Sequence, residues 1–377
     1  MSEERKLKVI LSGGGTGGHI YPAVAVAEAL GRRLGDCLDI LFVGAEGKME
    51  MEKVPALGYP IVGLPVAGLQ RRLTLRNLAV PAKVLASVVK ARRVIRRFGA
   101  DVVVGFGGYA SAPVLWSAQR MGIPTLIQEQ NSYAGVTNKL LASRARRICV
   151  AYEGMERFFP ADRIVLTGNP LRGRFAVSGD AAALKAEALA HFGLEAGKPV
   201  VLVVGGSLGT RTLNEAMKAH ADEIVREGRF QVIWQTGKYY EREMDEFMRG
   251  RDARGIWRGA FIERMDLAYA AADVVIARSG AGTVSELCLV GKAVVFVPSP
   301  NVAEDHQTKN AMALADRGAA LVVPDREAVA RVFSEAGRLL ADDAMRSEME
   351  KNIRALAVAD SADRVADEIL KVVKRSE

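Results

Sequence analysis

A chain of 377 residues, 49% hydrophobic and 25% charged, is long enough for two domains with full cores and too apolar to be disordered. It has no run of eighteen apolar residues, and its N-terminus MSEERKLK passes straight into a strand-like stretch; this leaves neither a membrane span nor a signal peptide and points to the cytoplasm. A net charge of +8 and a pI near 9.4 point to an anionic partner without choosing among nucleic acid, membrane and phosphorylated substrate.

Lys6 to Ser12 reads as a strand, followed by Gly13-Gly14-Gly15-Thr16-Gly17-Gly18-His19 and a helical pattern over Tyr21 to Leu34. The spacing Gly13-x-Gly15-x-x-Gly18 satisfies the dinucleotide pattern GxGxxG, and no Gly-Lys-Ser/Thr follows to make it a Walker loop. Further strands are predicted at Asp39 to Val43, Tyr59 to Leu64, Asp101 to Gly105, Pro124 to Gln128, Arg147 to Ala151 and Ile164 to Thr167. Helices between them make a parallel α/β sheet. Gly168-Asn169-Pro170 closes this half, and the plan restarts with Pro199 to Val204 and Gly205-Gly206-Ser207-Leu208-Gly209.

The segments beginning at Asp101 and Asp273 echo each other as strand, glycine turn, helix, Gly-containing turn and strand. Two Rossmann-like parallel-sheet domains facing a cleft are therefore expected, residues 1–168 and 169–360, with 361–377 returning to the first domain as a helix. In the second domain Asp273 to Ala277 is a buried strand and Ser279-Gly280-Ala281-Gly282 a turn. A helix is predicted from Thr283, its free first-turn N–H groups suited to a diphosphate. Glu286, just inside it, is placed to accept hydrogen bonds from the two hydroxyls of a ribose, or simply to complement the helix dipole. Gln128-Glu129-Gln130-Asn131 is a polar cluster directly after a buried strand, where catalytic and sugar-binding groups are carried. Cys37, Cys149 and Cys288 sit in apolar segments without CxxC spacing and read as reduced core thiols; His19, His191, His220 and His306 are too scattered for a zinc site.

Seven motifs, in order, carry a resemblance: GGGTGGH at Gly13, GGYAS at Gly107, QEQN at Gln128, TGNPLR at Thr167, GGSLG at Gly205, RSGAGTVSE at Arg278 and DHQTKNA at Asp305. With them the chain resembles the MurG family of bacterial glycosyltransferases, family 28, from the first strand to about Ala320. The resemblance implies the GT-B fold and transfer of N-acetylglucosamine from UDP-GlcNAc to the 4-hydroxyl of the muramoyl sugar of lipid I, giving lipid II for peptidoglycan. It also implies inversion at the anomeric carbon, no cofactor, no metal built into the fold, and cell-wall synthesis or division proteins as possible partners. Position by position, it places sugar-nucleotide contacts on Thr16, Gly17, Gly18, Asn131, Arg172, Ser207, Ile262, Ala281, Gly282, Thr283, Val284, Ser285, Glu286 and Gln307, with Tyr109 in the glycine turn at 107–108 as a further substrate-binding residue. His306 departs from relatives that carry Gln there. An inverting displacement needs a base at the acceptor hydroxyl, and His19 is the first candidate, Glu129 the second.

Competing readings are a UDP-GlcNAc 2-epimerase, an NAD-dependent oxidoreductase using Glu46 for a ribose, and a non-enzymatic membrane scaffold. The stretch Lys53 to Ala100 contains no Asp or Glu and ten Lys or Arg, interleaved with leucines and valines. With few aromatic residues for base stacking, it suits an anionic membrane surface on the cytoplasmic face better than nucleic acid. Val84, Val88 and Val94 to Phe98 are expected to be ordinary core packing.

Overall fold

A computed structural model describes residues 5–66, 80–171, 180–206 and 208–374. The chain divides into two compact units, Met1–Gly173 with Asp360–Glu377, and Arg174–Ala359. Each is a wholly parallel sheet covered by helices on both faces, which is why its strands read as unbroken apolar runs.

In the first unit β1 (Leu7–Ser12), β2 (Leu38–Ala45), β3 (Ile61–Leu64), β4 (Val102–Gly105), β5 (Thr125–Glu129), β6 (Arg147–Val150) and β7 (Ile164–Leu166) lie in the order β3-β2-β1-β4-β5-β6-β7. In the second, β8 (Val200–Val204), β9 (Gln231–Gln235), β10 (Ile256–Gly259), β11 (Val274–Ala277), β12 (Ala293–Phe296) and β13 (Leu321–Val322) lie in the order β10-β9-β8-β11-β12-β13. The strand order reverses between β1 and β4 and between β8 and β11. A parallel sheet leaves a crevice beyond its carboxyl ends at such a switch point.

The internal echo has a physical counterpart. Asp101 accepts the backbone N–H of Lys8 at 2.8 Å, and Asp273 accepts that of Val200 at 2.8 Å. In each unit one aspartate thus satisfies the entering end of the central strand while its own N–H returns to the same residue's carbonyl.

The last helix, α14 (Ser361–Lys374), buries Ala362, Val365, Ala366, Ile369 and Val372 against the first helix, α1 (Gly17–Leu34). Arg32 and Arg33 each reach Asp363 at 3.2 Å, and Ser361 Oγ donates to the Asn169 carbonyl at 2.9 Å. Burying Val365, Ile369 and Val372 contributes roughly 1.5–3 kcal/mol each, so apolar area outweighs the exposed ion pairs in holding this helix.

Several local expectations differ from the structure. α1 begins at Gly17, four residues before the predicted Tyr21, so His19 lies in its first turn. Strands β9 and β10 were not expected; β9 is bracketed by Gln231 and Gln235, and β10 is a half-buried edge strand whose polar content hides the pattern. Cys149 and Cys288 are buried thiols and burial pushes both up, Cys288 to about 12, but Cys37 is exposed in the short turn after α1. In α3 (Val80–Phe98), Ser87, Ala91 and Ile95 face inward at four-residue spacing. Val84 continues that stripe one turn earlier, yet it is 53% exposed because the surface under the helix ends at Ser87; Leu85 is 66% exposed.

Candidate functional site

In the first unit the glycine loop after β1 packs on the turn after β4. Gly108 has φ of +80°, and a Cβ there would lie 2.3 Å from the Gly14 carbonyl oxygen. Only glycine permits both that backbone and that approach. Gly108→Ala is expected to lower the melting temperature and, by pushing the two loops apart, to cut turnover; strain of this kind costs about 1–3 kcal/mol. A thermal melt and rate matching those of the unsubstituted protein would show that the loops need not touch.

His19 is half-buried at the third position of α1. Its Nδ1 lies 3.0 Å from the Gly14 carbonyl oxygen, which can only accept, so in the neutral ring the proton sits on Nδ1 and Nε2 carries the lone pair. Nε2 lies against Gly107, where a Cβ would come within 3.1 Å of it. Thr16 caps α1 in an extended conformation with no side-chain cap, and its Oγ1 lies 3.3 Å from His19 Nδ1. Gly18 is exposed and Gly17 partly so. Tyr109, just past the double glycine, is 59% exposed.

Glu129, at the end of β5, is 2% exposed and its carboxylate is fully engaged within its own loop. One oxygen accepts from the backbone N–H and Nδ2 of Asn131 at 3.1 and 3.3 Å. The other accepts from the N–H of Gly135, the cap of α5 (Val136–Leu141), at 3.0 Å and from Asn138 Nδ2 at 2.8 Å. Four donors fill the lone-pair directions of a carboxylate, so this group organises the 130–135 loop and is poorly placed to accept a substrate proton. Asn131, half-buried, is held by the same oxygen.

Sequence reasoning missed Glu50, the first residue of α2 (Glu50–Ala56), which is 1% exposed and whose two oxygens each lie 3.2 Å from the N–H of Gly15. That N–H is one a dinucleotide pyrophosphate at a GxGxxG loop would require, and it is already taken. No motif spacing announces Glu50; it resembles any first-turn acid.

In the second unit β11 leads into α10 (Ala281–Val290), which starts at Ala281, two residues before the predicted Thr283. Gly280 caps it in an extended conformation, and Val284 N–H is the first to find an intrahelical carbonyl, that of Gly280 at 3.0 Å. The N–H groups of Ala281, Gly282 and Thr283 therefore make an anion-binding end. Val284 points into the core, so it contributes backbone alone, while Ser285 Oγ donates back to the Ala281 carbonyl at 3.0 Å.

With the helix starting earlier, Glu286 lies in its second turn, where the dipole has largely faded. It accepts the Tyr269 hydroxyl of α9 (Met265–Ala271) at 3.0 Å, and burial pushes its carboxyl up to about 7 although Tyr269 pulls the other way. The turn before α10 is braced by Arg278, whose guanidinium donates to the Val297 and Pro298 carbonyls at 2.7 and 3.0 Å and meets Asp325 at 2.6 Å. Ile262 is 2% exposed and can offer its surroundings only backbone groups and a flat apolar edge.

Gln307, in α11 (His306–Ala315), accepts the Ser299 N–H at 2.9 Å through Oε1, and its carbonyl takes the Ser279 hydroxyl at 2.8 Å; α11 is thereby tied to the glycine turn. Glu304 and Asp305 before it hold φ of 55° and 51°, a left-handed pair without glycine that costs about 1–3 kcal/mol per residue. Thr308 Oγ1 on Asp305 at 2.7 Å and Lys309 Nζ on the Glu304 carbonyl at 2.8 Å hold it. Arg172 and Ser207 lie outside the described residues. Among those described, no group of three His, Cys, Asp or Glu side chains stands together as a cation site.

Residues 9–150 match the glycosyltransferase family 28 N-terminal domain and residues 200–365 its C-terminal domain. A relative from Parabacteroides distasonis, named UDP-N-acetylglucosamine--N-acetylmuramyl-(pentapeptide) pyrophosphoryl-undecaprenol N-acetylglucosamine transferase, is 52% identical over 371 residues, 98% of this chain and 100% of that one. The crystal structure of Acinetobacter baumannii MurG is similar with a TM-score of 0.76 at 30% identity, covering 97% of this chain and 99% of that one. The UDP-GlcNAc 2-epimerase from Neisseria meningitidis shares the fold alone, with a TM-score of 0.68 at 12% identity over 97% of this chain and 100% of that one. With both domain models matched in order and half the residues identical to a full-length relative, the chain belongs to glycosyltransferase family 28.

Proposed function

We propose that this glycosyltransferase moves N-acetylglucosamine from UDP-GlcNAc to the 4-hydroxyl of the muramoyl sugar of undecaprenyl-pyrophosphoryl-MurNAc-pentapeptide, lipid I, giving lipid II with inversion. The observation that carries the donor half is the pairing of a bare helix N-terminus at Ala281 with a half-buried carboxylate one turn on at Glu286. The diphosphate sits on the N–H groups of Ala281, Gly282 and Thr283, with Arg172 and Ser207 adding a guanidinium and a hydroxyl. Glu286 takes the ribose diol, the Ile262 backbone reads uracil, and Gln307 reaches the sugar hydroxyls. In the first unit, Thr16, Gly17, Gly18, Tyr109 and Asn131 contact substrate.

In the chemical step the acceptor oxygen bonds to the anomeric carbon of GlcNAc as the bond from that carbon to the β-phosphate oxygen breaks. The electron pair leaves with UDP, and the hydroxyl proton passes to His19 Nε2. Nε2 is the nitrogen that accepts it, because Nδ1 faces the Gly14 carbonyl. Glu129 shapes the Asn131 loop. The epimerase and oxidoreductase readings lose their ground, the first because likeness at 12% identity carries only a fold, the second because Glu50 occupies the Gly15 amide. Incubation with radiolabelled UDP-GlcNAc and a lipid I analogue, with NADH absorbance followed in parallel, is expected to give labelled disaccharide lipid and no absorbance change. Release of free sugar epimer or oxidation of NADH, without disaccharide, would replace this reading.

Among the described residues no helix is long and apolar enough to cross a membrane, and lipid I is reached from the surface by α3. Leu85 and Val89 are exposed beside Lys83, Arg92, Arg93, Arg96 and Arg97. Trp116 of α4 (Ser111–Arg120) lies 5.4 Å from the Arg92 guanidinium and 5.2 Å from that of Arg120, an aromatic suited to the headgroup region. This face docks on anionic lipid at the cytoplasmic side, each basic residue contributing roughly 1 kcal/mol. Arg71, Arg72 and Arg76 belong to the same basic stretch and lie outside the described residues. Reversing all three to Glu is expected to reduce sedimentation with phosphatidylglycerol vesicles, less so at high salt, with UDP-GlcNAc affinity unchanged. Vesicle binding indifferent to both charge and salt would return the segment to a plain solvated surface.

A further inference from the structure

We propose that Glu50 acts on His19 through a single peptide group, as a positioning residue that tunes the base. The inference rests on His19 being that base. The Gly15 nitrogen bound by both Glu50 oxygens belongs to the same peptide unit as the Gly14 carbonyl, and that carbonyl holds His19 Nδ1 at 3.0 Å. Carboxylate, amide and imidazole therefore stand in one hydrogen-bonded line. A negative group on the N–H end of an amide polarises it, so its oxygen becomes the stronger acceptor. That oxygen then fixes the ring with Nδ1–H toward Gly14 and stabilises the imidazolium that forms when Nε2 takes the acceptor proton.

The packing is built around the carboxylate. A Cβ on Gly14 would fall 2.1 Å from Glu50 Oε1, and one on Gly44 2.6 Å from its Cγ. Oε1 also takes the Ala45 N–H at 3.0 Å, so the partners of Glu50 among the described residues are backbone amides and no cation. A buried carboxylate left without a cation opposes folding, and it opposes an anionic substrate at the neighbouring loop. Other titratable groups on the surrounding elements include Tyr21 of α1, Glu46, Lys48, Glu52 and Lys53 around α2, Tyr109 before α4 and Glu129 at the end of β5; Glu46 pairs with Lys90 and Glu129 is filled by its own loop.

The test compares rate–pH profiles of the full chain, Glu50→Gln, His19→Ala and the double variant, together with 15N NMR of labelled histidine in the substrate-free protein. Glu50→Gln is expected to lower kcat about tenfold, the lower end of the loss when an outer hydrogen-bond partner behind a histidine is removed, and to leave KM for UDP-GlcNAc unchanged. Its acid limb and the His19 titration seen by NMR both move to lower pH, and in the His19→Ala background the same substitution changes nothing further. An unmoved limb and titration, with equal losses in both backgrounds, would reduce Glu50 to scaffolding. An acid limb that survives in His19→Ala would instead dismiss the base assignment. Should Glu50→Gln not fold, the unsubstituted protein still decides: 15N shifts that put the neutral proton of His19 on Nε2 would break the line at its last link.

Discussion

His19→Ala is expected to lower kcat by about 10² to 10⁴-fold, the range for loss of a general base, with the melting temperature little changed. The structure narrows what this result can mean. His19 is half-buried in the first turn of α1, so its removal leaves the core clusters under the sheet intact. Its Nδ1 is committed to the Gly14 carbonyl and leaves Nε2 as the basic nitrogen. KM for UDP-GlcNAc should stay within about twofold, because the donor contacts proposed here lie mainly on α10 and α11, and a group acting only in the transition state changes kcat more than ground-state binding. Glu129→Gln is the control. It turns one of the two acceptor oxygens into an NH2 that faces two of the four donors shaping the Asn131 loop, so it should raise KM for the acceptor and reduce stability without reproducing the loss of a titrating base. A silent His19→Ala beside a Glu129→Gln variant that loses turnover and its acid limb would exchange the two roles.

What the sequence revealed and what it withheld follow from the range of the forces involved. The strands β1, β4, β8 and β11 were legible because burial on both faces demands continuous apolar residues, and the loops after them because close backbone approach demands glycine. Glu286 stood out because a carboxylate beside an anion site needs a reason. Glu50 did not, since its meaning depends on the Gly15 amide thirty-five residues away. Tyr269 and Arg278 escaped for the same reason, one defined by Glu286 and the other by the Val297 carbonyl and Asp325. The exposure of Val84 could not be read either: helical period places it on the inner stripe, and only the extent of the surface beneath α3 shows that the stripe ends at Ser87. Nor does any residue type announce the left-handed pair Glu304-Asp305, because glycine, the usual signal, is absent.

Glu286→Gln is expected to weaken UDP-GlcNAc binding by roughly 1.5–3 kcal/mol, the value of hydrogen bonds to a charged group, and to abolish a pH dependence that the unsubstituted protein should show. Burial pushes the Glu286 carboxyl up to about 7, so near neutral pH much of the substrate-free protein carries the acid form. The ribose diol donates two hydrogen bonds and favours the carboxylate. Affinity should therefore rise as pH climbs through 7 and level off above it, with a proton released on binding at neutral pH. The sign for stability is opposite. The folded state holds this proton up to about 7 whereas the unfolded chain loses it near 4.5, so stability falls as pH rises between those values and the whole penalty is present above 7. At 1.36 kcal/mol per unit the penalty is on the order of 3 kcal/mol, and Glu286→Gln, which has no proton to lose, should melt higher than the parent at pH 8 and about equally at pH 5. Tyr269→Phe removes the hydrogen bond that favours the carboxylate, so the rise in affinity should move to still higher pH. Calorimetry in buffers of different ionisation enthalpy reads both the affinity and the proton. Donor binding that is flat across pH 6 to 8, proton-neutral and unchanged in Glu286→Gln would take this residue off the ribose.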